Sequence, residues 1–375
     1  MRKLKVIVAM SGGVDSSVAA ALLKKNGYDV VGVFMKFWQE PGEGRENLCC
    51  SAKARLDAKR VAVKLNIPFY VLDAQKEFKK RVVDYFIDEY KKGNTPNPCV
   101  ECNHWIKFNF LIREMLKLKA DFVATGHYVR IQRNFETRIS NFELNSNLKN
   151  SKIDSKLKIK NSKLITAKDK KKDQSYFLWQ LTQKQLSKII FPLGDYAKEQ
   201  ARRLAKKFKL PVFNKKDSQE ICFVNININE FLRRHIKANS GSIITKDGRK
   251  VGEHKGLIFY TIGQRKGIEI GGTGPYYVVR KDFKNNALIV SQSQKDLLKK
   301  EMIIKKVNWL NKPKKFPFRC GAKIRSMAQI VPCRIFKIHN SKFKIQFNKP
   351  QRAITLGQSA VFYKNKEVLG GGVII

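Results

Sequence analysis

Acidic side chains are scarce in this chain. Its 375 residues contain 31 Asp and Glu against 76 Lys and Arg, which gives a formal net charge of +45 at pH 7. So large an excess of one sign favours a polyanionic partner, and nucleic acid is the partner that fits it best. Charge alone leaves a second interpretation open, namely a surface of solvated lysines in a chain that is rich in Lys, Asn and Ile throughout.

Long apolar runs are also absent. No stretch has the length that a membrane span needs, and residues 1–5 lead into the first predicted strand without the apolar core of a signal peptide. We therefore expect a cytoplasmic protein without membrane contact. Thiols stay reduced in that compartment, so we interpret the seven cysteines as catalytic, metal-binding or buried residues and not as a disulfide framework.

The chain is organised around its first strand and the turn that follows. The β-branched run at residues 6–9 leads into Ser11-Gly12-Gly13-Val14-Asp15-Ser16, and a run of good helix formers begins behind it. A strand, a glycine turn and a helix start make an anion site, because free backbone N–H groups and the helix dipole meet at one point. A carboxylate beside bound phosphate needs a cation, so we interpret Asp15 as a ligand of Mg²⁺.

The turn lacks the Gly-Lys-Ser/Thr ending of a Walker A loop. The string Ser-Gly-Gly-Val-Asp-Ser instead resembles the PP-loop of ATP pyrophosphatases, which bind the pyrophosphate end of ATP and transfer AMP to an acceptor oxygen. Strands alternate with helices after it, which predicts an α/β fold with a doubly wound parallel sheet. Ligands of such sheets lie beyond the carboxyl ends of strands, where we place Met35 and Gly126 at the nucleotide.

The cysteines do not complete a zinc site. Cys99 and Cys102 have C-x-x-C spacing in a Pro- and Asn-rich loop before a helix, but a structural zinc site needs a second ligand pair. Cys102 lies near the helix N-terminus, where we expect a favoured thiolate. Cys222 lies in a polar-flanked segment without an obvious metal partner. Cys320 and Cys333 fall on predicted strands and are interpreted as buried small apolar residues.

Composition divides the chain into three predicted domains. Residues 1–212 form the nucleotide-binding domain, in which a Lys/Asn/Ser-rich surface insertion at 134–163 interrupts a predicted hairpin. Residues 213–277 are partly Gly-rich and predict a small mixed α+β domain that carries Cys222. Residues 278–375 contain short alternating strands with turn signals, which predict a C-terminal β-barrel.

Six short motifs follow one another in an order that is far more specific than the PP-loop alone. They are Ser11 to Ser16, Thr95-Pro96-Asn97-Pro98 with Cys102-Asn103, Ala124-Thr125-Gly126-His127-Tyr128, Lys172-Asp173-Gln174-Ser175-Tyr176-Phe177, Cys222, and Thr261-Ile262-Gly263-Gln264-Arg265. In this combination the chain resembles the bacterial tRNA-specific 2-thiouridylases, over nearly its whole length except the insertion. The resemblance implies an ATP-dependent tRNA-uridine 2-sulfurtransferase that acts on the wobble uridine of tRNAs for Lys, Glu and Gln. Its implied partners are tRNA and a sulfur-relay protein that donates a persulfide, and we expect a monomer.

The resemblance also implies roles for individual residues. The ATP-binding positions are Ala9, Met10, Ser11, Gly12, Gly13, Val14, Asp15, Ser16, Met35 and Gly126. The uridine C2 oxygen is adenylated with loss of pyrophosphate, and Cys222 carries the persulfide. Cys102 completes sulfur release, either by freeing sulfide from Cys222 or by resolving a disulfide. The positions that face tRNA, through the C-terminal barrel among other parts, are Asn97, Pro98, Cys99, His127, Lys172, Asp173, Gln174, Arg325, Ser326 and Gln358.

Two positions depart from the family pattern. Many members carry Asp where this chain has Cys99, and that Asp is proposed as a general acid/base, so this proton-transfer role is open here. The usual Arg-Tyr pair is Arg325-Ser326 in this chain, which removes a stacking ring.

Two alternative functions also stay open. Another PP-loop AMP-transferring synthetase would need no cysteine pair, and a non-catalytic basic RNA-binding protein would need no ATP.

Overall fold

Strands and helices alternate in the N-terminal part of the chain. The computed structural model describes residues 2–40, 51–135, 144–145, 159–216, 221–224, 227–271, 274–339 and 341–375. The first elements are β1 (Lys5–Ala9), α1 (Val14–Lys25), β2 (Asp29–Lys36), α2 (Ala52–Lys64), β3 (Phe69–Asp73), α3 (Gln75–Phe78), α4 (Asp84–Lys91), α5 (Pro98–Glu101), α6 (Leu111–Lys117) and β4 (Phe122–Ala124). π-Helical segments at Lys79–Val83 and Cys102–Phe110 join α3 to α4 and α5 to α6.

The chain then forms a hairpin and returns to the first sheet. The elements are β5 (Val129–Phe135), β6 (Leu144–Asn145), β7 (Ile159–Thr166), a 3₁₀ helix (Ser175–Leu178), α7 (Gln183–Leu186), β8 (Ile189–Ile190) and α8 (Lys198–Lys207). β5 and β7 pair antiparallel, with Val129 opposite Thr166, so the predicted hairpin around the insertion is present. Within the insertion, residues 136–143 and 146–158 lie outside the described residues.

The central strands are apolar on both faces, and such strands are stable only inside a covered sheet. Val6, Ile7 and Val8 are fully buried. The sheet has five strands in the order β3-β2-β1-β4-β8, all paired parallel, which confirms the predicted parallel sheet. The chain runs from β1 outward to β3 and crosses back to β4, so the carboxyl ends of β1 and β4 form the topological switch point at which ligands bind in such sheets.

Two glycines are required where the loop after β1 is tightly packed. Gly12 has a φ of +70°, and a Cβ on it would lie 2.2 Å from the carbonyl oxygen of Ala54 in α2. Gly126 follows β4, and a Cβ there would lie 2.7 Å from the backbone nitrogen of Ser16. Both contacts are shorter than any side chain tolerates. The loop between β1 and α1 is therefore held between α2 on one side and the end of β4 on the other.

A small mixed sheet follows. Its elements are α9 (Ile228–His235), β9 (Gly241–Thr245), β10 (Lys250–His254), a 3₁₀ helix (Leu257–Phe259), β11 (Tyr277–Asp282) and β12 (Ala287–Ser291). The strand order is β10-β9-β12-β11, in which only β9 and β12 run parallel. β11 begins at the boundary that composition placed after residue 277, so strand pairing extends this middle unit to Ser291.

The C-terminal strands close into the predicted β-barrel. After a 3₁₀ helix (Gln294–Leu297) they are β13 (Leu298–Trp309), β14 (Phe318–Lys323), β15 (Val331–Lys337), β16 (Phe343–Arg352), β17 (Ser359–Lys364) and β18 (Glu367–Ile374). The order β13-β16-β15-β14-β17-β18 is closed by pairing of β13 with β18, and β7 pairs with β18 on the outside. The barrel has an apolar core of its own, whereas the first and middle units share one. Among the described residues no helix has the length and apolar character that a membrane crossing requires.

Candidate active site

The loop after β1 is a preorganised anion site. Gly13 has an extended backbone (φ −95°) and precedes the first residue of α1, so the helix begins at the switch point. The backbone N–H of Ser11 donates to Oγ of Ser16 at 3.2 Å, and the hydroxyl of Ser17 donates to the carbonyl of Gly13 at 2.8 Å. These bonds fix the loop through its own side chains. The helix dipole and the first N–H groups of α1 then favour an anion in front of the loop.

Asp15 has a cation beside it in the fold. The Lys198 ammonium, at the first residue of α8, lies 2.8 Å from both carboxylate oxygens of Asp15. The Tyr128 hydroxyl donates to the same carboxylate at 2.7 Å. Lys198 is a residue that sequence reasoning missed, because nothing in its local sequence differs from an ordinary helix start. Lys198 therefore supplies a positive charge beside Asp15, and the predicted Mg²⁺ stays a prediction.

The loop opens into a cavity of about 540 Å³ that also reaches the thiols. The predicted positions that line it are Ala9, Met10, Ser11, Gly13, Val14, Asp15, Ser16, Met35, Gly126, Cys102, Cys222, Pro98, Cys99, His127, Lys172, Asp173, Gln174 and Ser326. Gly12, Asn97, Arg325 and Gln358 are not part of the lining. A Cβ on Gly12 would meet α2, so the turn itself requires glycine there, and contact of Gly12 with ATP stays a prediction. One cavity thus joins the anion loop to Cys99, Cys102 and Cys222.

The prediction that Cys102 is a thiolate is wrong. Cys102 is the first residue of a π-helical segment and only 7% of it is exposed. Burial raises the pKa of the Cys102 thiol far above its usual value, and the positive charge of Lys107 offsets this only in part. α5 continues into this segment and α6, so Cys102 is the fifth residue of the helical stretch, where the effect of the helix N-terminus has already weakened and desolvation outweighs it. Burial therefore favours the neutral thiol at Cys102.

Cys99 is more accessible to solvent than Cys102. It has an exposed surface that opens into the cavity, and Asn97 caps α5 by accepting its backbone N–H at 3.2 Å. The residue nevertheless lies deep among protein atoms, and this burial raises the pKa of Cys99 to about 11, with Cys222 adding to the rise and Lys107 opposing it. None of Cys99, Cys102 and Cys222 takes part in a disulfide bond. The three thiols affect one another's pKa values, so they lie close together in the lining of the cavity.

Three family models match the chain in succession. A model described as tRNA methyl transferase HUP domain matches residues 4–226, a tRNA methyl transferase PRC-barrel domain matches 229–292, and an Aminomethyltransferase beta-barrel domain matches 299–374. A relative from Clostridium perfringens, named tRNA-specific 2-thiouridylase MnmA, is 43% identical over 100% of this chain and 99% of its own length. A relative of the same name from Clostridioides difficile is 44% identical over 99% of this chain and 98% of its own. The chain belongs to the tRNA-specific 2-thiouridylase family. Recognition of the family from its ordered motifs is confirmed.

Several positions that the 2-thiouridylase resemblance places against tRNA are bonded inside the protein. Asp173 accepts the backbone N–H of Ala167 at 2.9 Å, and Gln174 accepts that of Tyr128 at 2.9 Å. His127 is buried, its Nδ1 lies 2.7 Å from Thr125 Oγ1, and burial lowers its pKa well below the usual range, so the ring is neutral. These side chains hold the cavity wall in shape. Their contact with tRNA stays a prediction.

The C-terminal barrel is hydrogen-bonded to the loop that leads to Cys99 and Cys102. Gln358 donates to the carbonyl of Thr95 at 2.7 Å, and the Thr95 N–H donates to Leu356 at 2.8 Å. The Arg325 guanidinium donates to the carbonyl of Ala353 at 2.6 Å. Arg325 and Gln358 therefore position the barrel loops beside the cavity, although neither lines it.

Five lysines of the cavity wall were not among the site residues predicted from the sequence. They are Lys107, Lys171, Lys198, Lys215 and Lys216. Lys215 donates to Asp57 of α2 at 2.8 Å and to the carbonyl of Gly12 at 3.1 Å, so it braces the anion loop from outside. In a chain with 76 Lys and Arg, no composition signal separates these lysines from the others. Only the fold gathers them around one cavity.

Proposed function

We propose that this chain catalyses the ATP-dependent 2-thiolation of the wobble uridine of tRNAs for Lys, Glu and Gln. One observation carries the proposal: the anion loop and three thiols open into the same cavity. An anion loop alone serves many nucleotide enzymes, and thiols alone serve many redox proteins. A site that activates an oxygen with ATP and replaces it with sulfur needs both. The names of the relatives, tRNA-specific 2-thiouridylase, support the same substrate.

The first half of the proposed reaction converts a poor leaving group into a good one. The uridine C2 oxygen attacks the α-phosphorus of the substrate ATP, and pyrophosphate leaves. The N–H groups at the start of α1, the Ser11 and Ser16 hydroxyls and the cavity lysines would bind the phosphates. Met35 and Gly126, at strand ends beside the loop, would adjoin the nucleotide.

Mg²⁺ fits this site only together with phosphate. Within the described residues no group of three or more His, Cys, Asp and Glu side chains is arranged to hold a metal. Asp15 can supply one carboxylate, and bound Mg²⁺ commonly takes one or two carboxylates with phosphate oxygens and waters. When bound, the ion would neutralise charge on the phosphates. Because Lys198 contacts both oxygens of the Asp15 carboxylate, a bound ion would have to share that carboxylate with the lysine.

The second half of the proposed reaction delivers sulfur. A sulfur-relay protein loads Cys222 with a persulfide. In one route Cys102 first loses its proton to water in the cavity, and its sulfur then attacks Sγ of Cys222 and frees hydrosulfide, which attacks C2. In the other, the terminal persulfide sulfur attacks C2 first, and Cys102 then breaks the S–S bond so that its electron pair stays on the transferred sulfur. Both routes expel AMP with the original oxygen and leave a Cys102–Cys222 disulfide, which an external thiol must reduce.

Reconstitution with purified components tests the proposal. The chain is incubated with unmodified tRNA, ATP, Mg²⁺ and a persulfide donor, and the tRNA nucleosides are then analysed by mass spectrometry. We expect 2-thiouridine that depends on ATP and on Cys222. Modification without sulfur would favour another AMP-transferring synthetase, and a methylated uridine formed with a methyl donor would favour the name of the family models. Tight tRNA binding without ATP turnover would favour a non-catalytic RNA-binding protein.

A further inference from the structure

Two barrel thiols take no part in the proposed function. Cys320 lies on β14 and Cys333 on β15, directly opposite each other in an antiparallel pair. Their Sγ atoms are 3.8 Å apart, and both thiols are free. Cys333 is buried in the barrel core beside Ile335 and Phe347, and Cys320 packs against the same core while remaining partly exposed. The strand ladder therefore holds the two thiols face to face.

This position suits a covalent bond between them. Directly opposite residues of an antiparallel pair have Cα atoms roughly 4.5–5.5 Å apart. A disulfide is built on Cα atoms roughly 4.4–6.8 Å apart, with an S–S bond of about 2.05 Å. The Cα separation is thus already suitable, and only the Sγ atoms have to approach. Rotation of the two side chains achieves this without movement of β14 or β15.

We propose that Cys320 and Cys333 are a redox-active dithiol, which oxidised glutathione or a similar low-molecular-weight disulfide converts into a cross-strand disulfide. The partly exposed Cys320 is the point of entry. Its thiolate attacks one sulfur of the oxidant, so a mixed disulfide forms and one glutathione thiolate leaves. The Cys333 thiolate then attacks Sγ of Cys320, and the second glutathione leaves. Two protein thiols are oxidised and one disulfide is reduced to two thiols.

The bond would form at the base of a loop that reaches the active-site cavity. Residues 324–330 join β14 to β15, and within them Ser326 and Met327 line the cavity, where Met327 is 88% exposed. Neither Cys320 nor Cys333 lines the cavity. Oxidation would therefore close a covalent ring around this loop without consuming a thiol of the proposed reaction.

Tryptic mapping tests the proposal, because the two cysteines fall on different peptides, residues 320–323 and 326–334. The full chain is incubated with oxidised glutathione, free thiols are blocked with N-ethylmaleimide, and the digest is analysed by mass spectrometry. We expect the two peptides joined, with the loss of two hydrogens, and separated again by dithiothreitol. The neighbouring Cys333 raises the pKa of Cys320, so exchange is slow and incubation continues until the cross-link yield is constant.

Single variants separate a dithiol from two independent thiols. In Cys333→Ser, Cys320 should accumulate as a mixed disulfide with glutathione, whereas in Cys320→Ser the buried Cys333 should stay reduced. Two results in the wild-type chain would overturn the proposal. One is complete blocking of both thiols after the incubation. The other is a stable glutathione adduct on Cys320 without the cross-linked peptide, because Cys333 would then be unable to attack its neighbour.

Discussion

The active-site cavity has two walls with opposite chemistry. The phosphate wall consists of the loop at Ser11–Ser16 with Lys198 and Lys215, which are held by hydrogen bonds and an ion pair within the protein. The thiol wall consists of Cys99, Cys102 and Cys222. Aromatic rings line the same cavity, where Phe78 is stacked on Phe37 and lies edge-on to Phe223. The phosphate wall stabilises the negative charge of a bound phosphate, whereas burial in the thiol wall disfavours the negative charge of a thiolate.

This difference separates the two half-reactions within one cavity. Phosphates need cations and N–H donors that are already oriented, because reorganisation during the reaction would weaken their effect. A thiol that ionised before the substrate was activated would be open to oxidation and to side reactions. Burial keeps Cys99 and Cys102 protonated, and Lys107 is the charge that opposes burial at both. A mutation in the phosphate wall is therefore expected to impair pyrophosphate release, and a mutation in the thiol wall is expected to impair sulfur transfer.

The largest effect is expected from Cys222→Ser on the thiol wall. A serine cannot carry a persulfide, so formation of 2-thiouridine should fall by at least about 10³-fold. Pyrophosphate release in the presence of tRNA should continue, because the phosphate wall is unchanged. Nucleoside mass spectrometry and a pyrophosphate assay on the same samples measure the two half-reactions. Cys320→Ser, in the barrel, is the matched control. Thiolation by the Cys222 variant would show that sulfur enters elsewhere.

Asp15→Ala is the converse change on the phosphate wall. It removes the carboxylate that holds Lys198 through two contacts of 2.8 Å, and we expect pyrophosphate release to fall about 10²-fold. tRNA affinity and persulfide loading of Cys222 should stay near the wild-type level. Asp84→Ala removes an exposed carboxylate that pairs with Lys79 at 2.7 Å, and it serves as control. If loading of Cys222 falls as much as pyrophosphate release, the walls are not independent.

Sequence reasoning succeeded where the site is contiguous in the chain. The loop at Ser11–Ser16 and the parallel sheet behind it are encoded by a local pattern of apolar residues and glycines, and that pattern survives folding. Lys198 could not be found in this way, because it is 183 positions from its partner Asp15 and only the return of the chain to α8 brings the two together.

The thiolate prediction failed for a related reason. Position near a helix start is a local feature, whereas burial depends on everything that packs around the residue. At Cys102, which lies beyond the first turn of the helical stretch, the surrounding core outweighs the effect of the helix N-terminus. Local sequence therefore singled out the cysteines as candidate site residues, whereas their protonation depends on the fold.

The thiol wall also makes a prediction about pH. The pKa of Cys99 is raised to about 11 by burial, so its thiolate fraction should increase about tenfold for each pH unit between pH 7 and pH 10. An ordinary thiol, with a pKa near 8.5, would approach full ionisation by about pH 9.5. The rate at which iodoacetamide alkylates Cys99, followed by peptide mass spectrometry, should therefore still be rising at pH 10. If the alkylation rate of Cys99 stopped rising below pH 9, its pKa would be close to that of an ordinary thiol, and the thiol wall would not suppress ionisation.

The smallest effect is expected from Gln358→Ala, which loosens the barrel from the loop that leads to the thiol wall. The lost bond to Thr95 is worth about 1 kcal/mol, and the adjacent bond from Thr95 to Leu356 remains. If Gln358 acts only by positioning, thiolation should slow about two- to fivefold while pyrophosphate release hardly changes. If it contacts tRNA directly, as the family resemblance implies, KM for tRNA should rise equally in both assays. Gln346→Ala, which removes an exposed bond to Glu301 at 2.9 Å on the same barrel, should change neither assay.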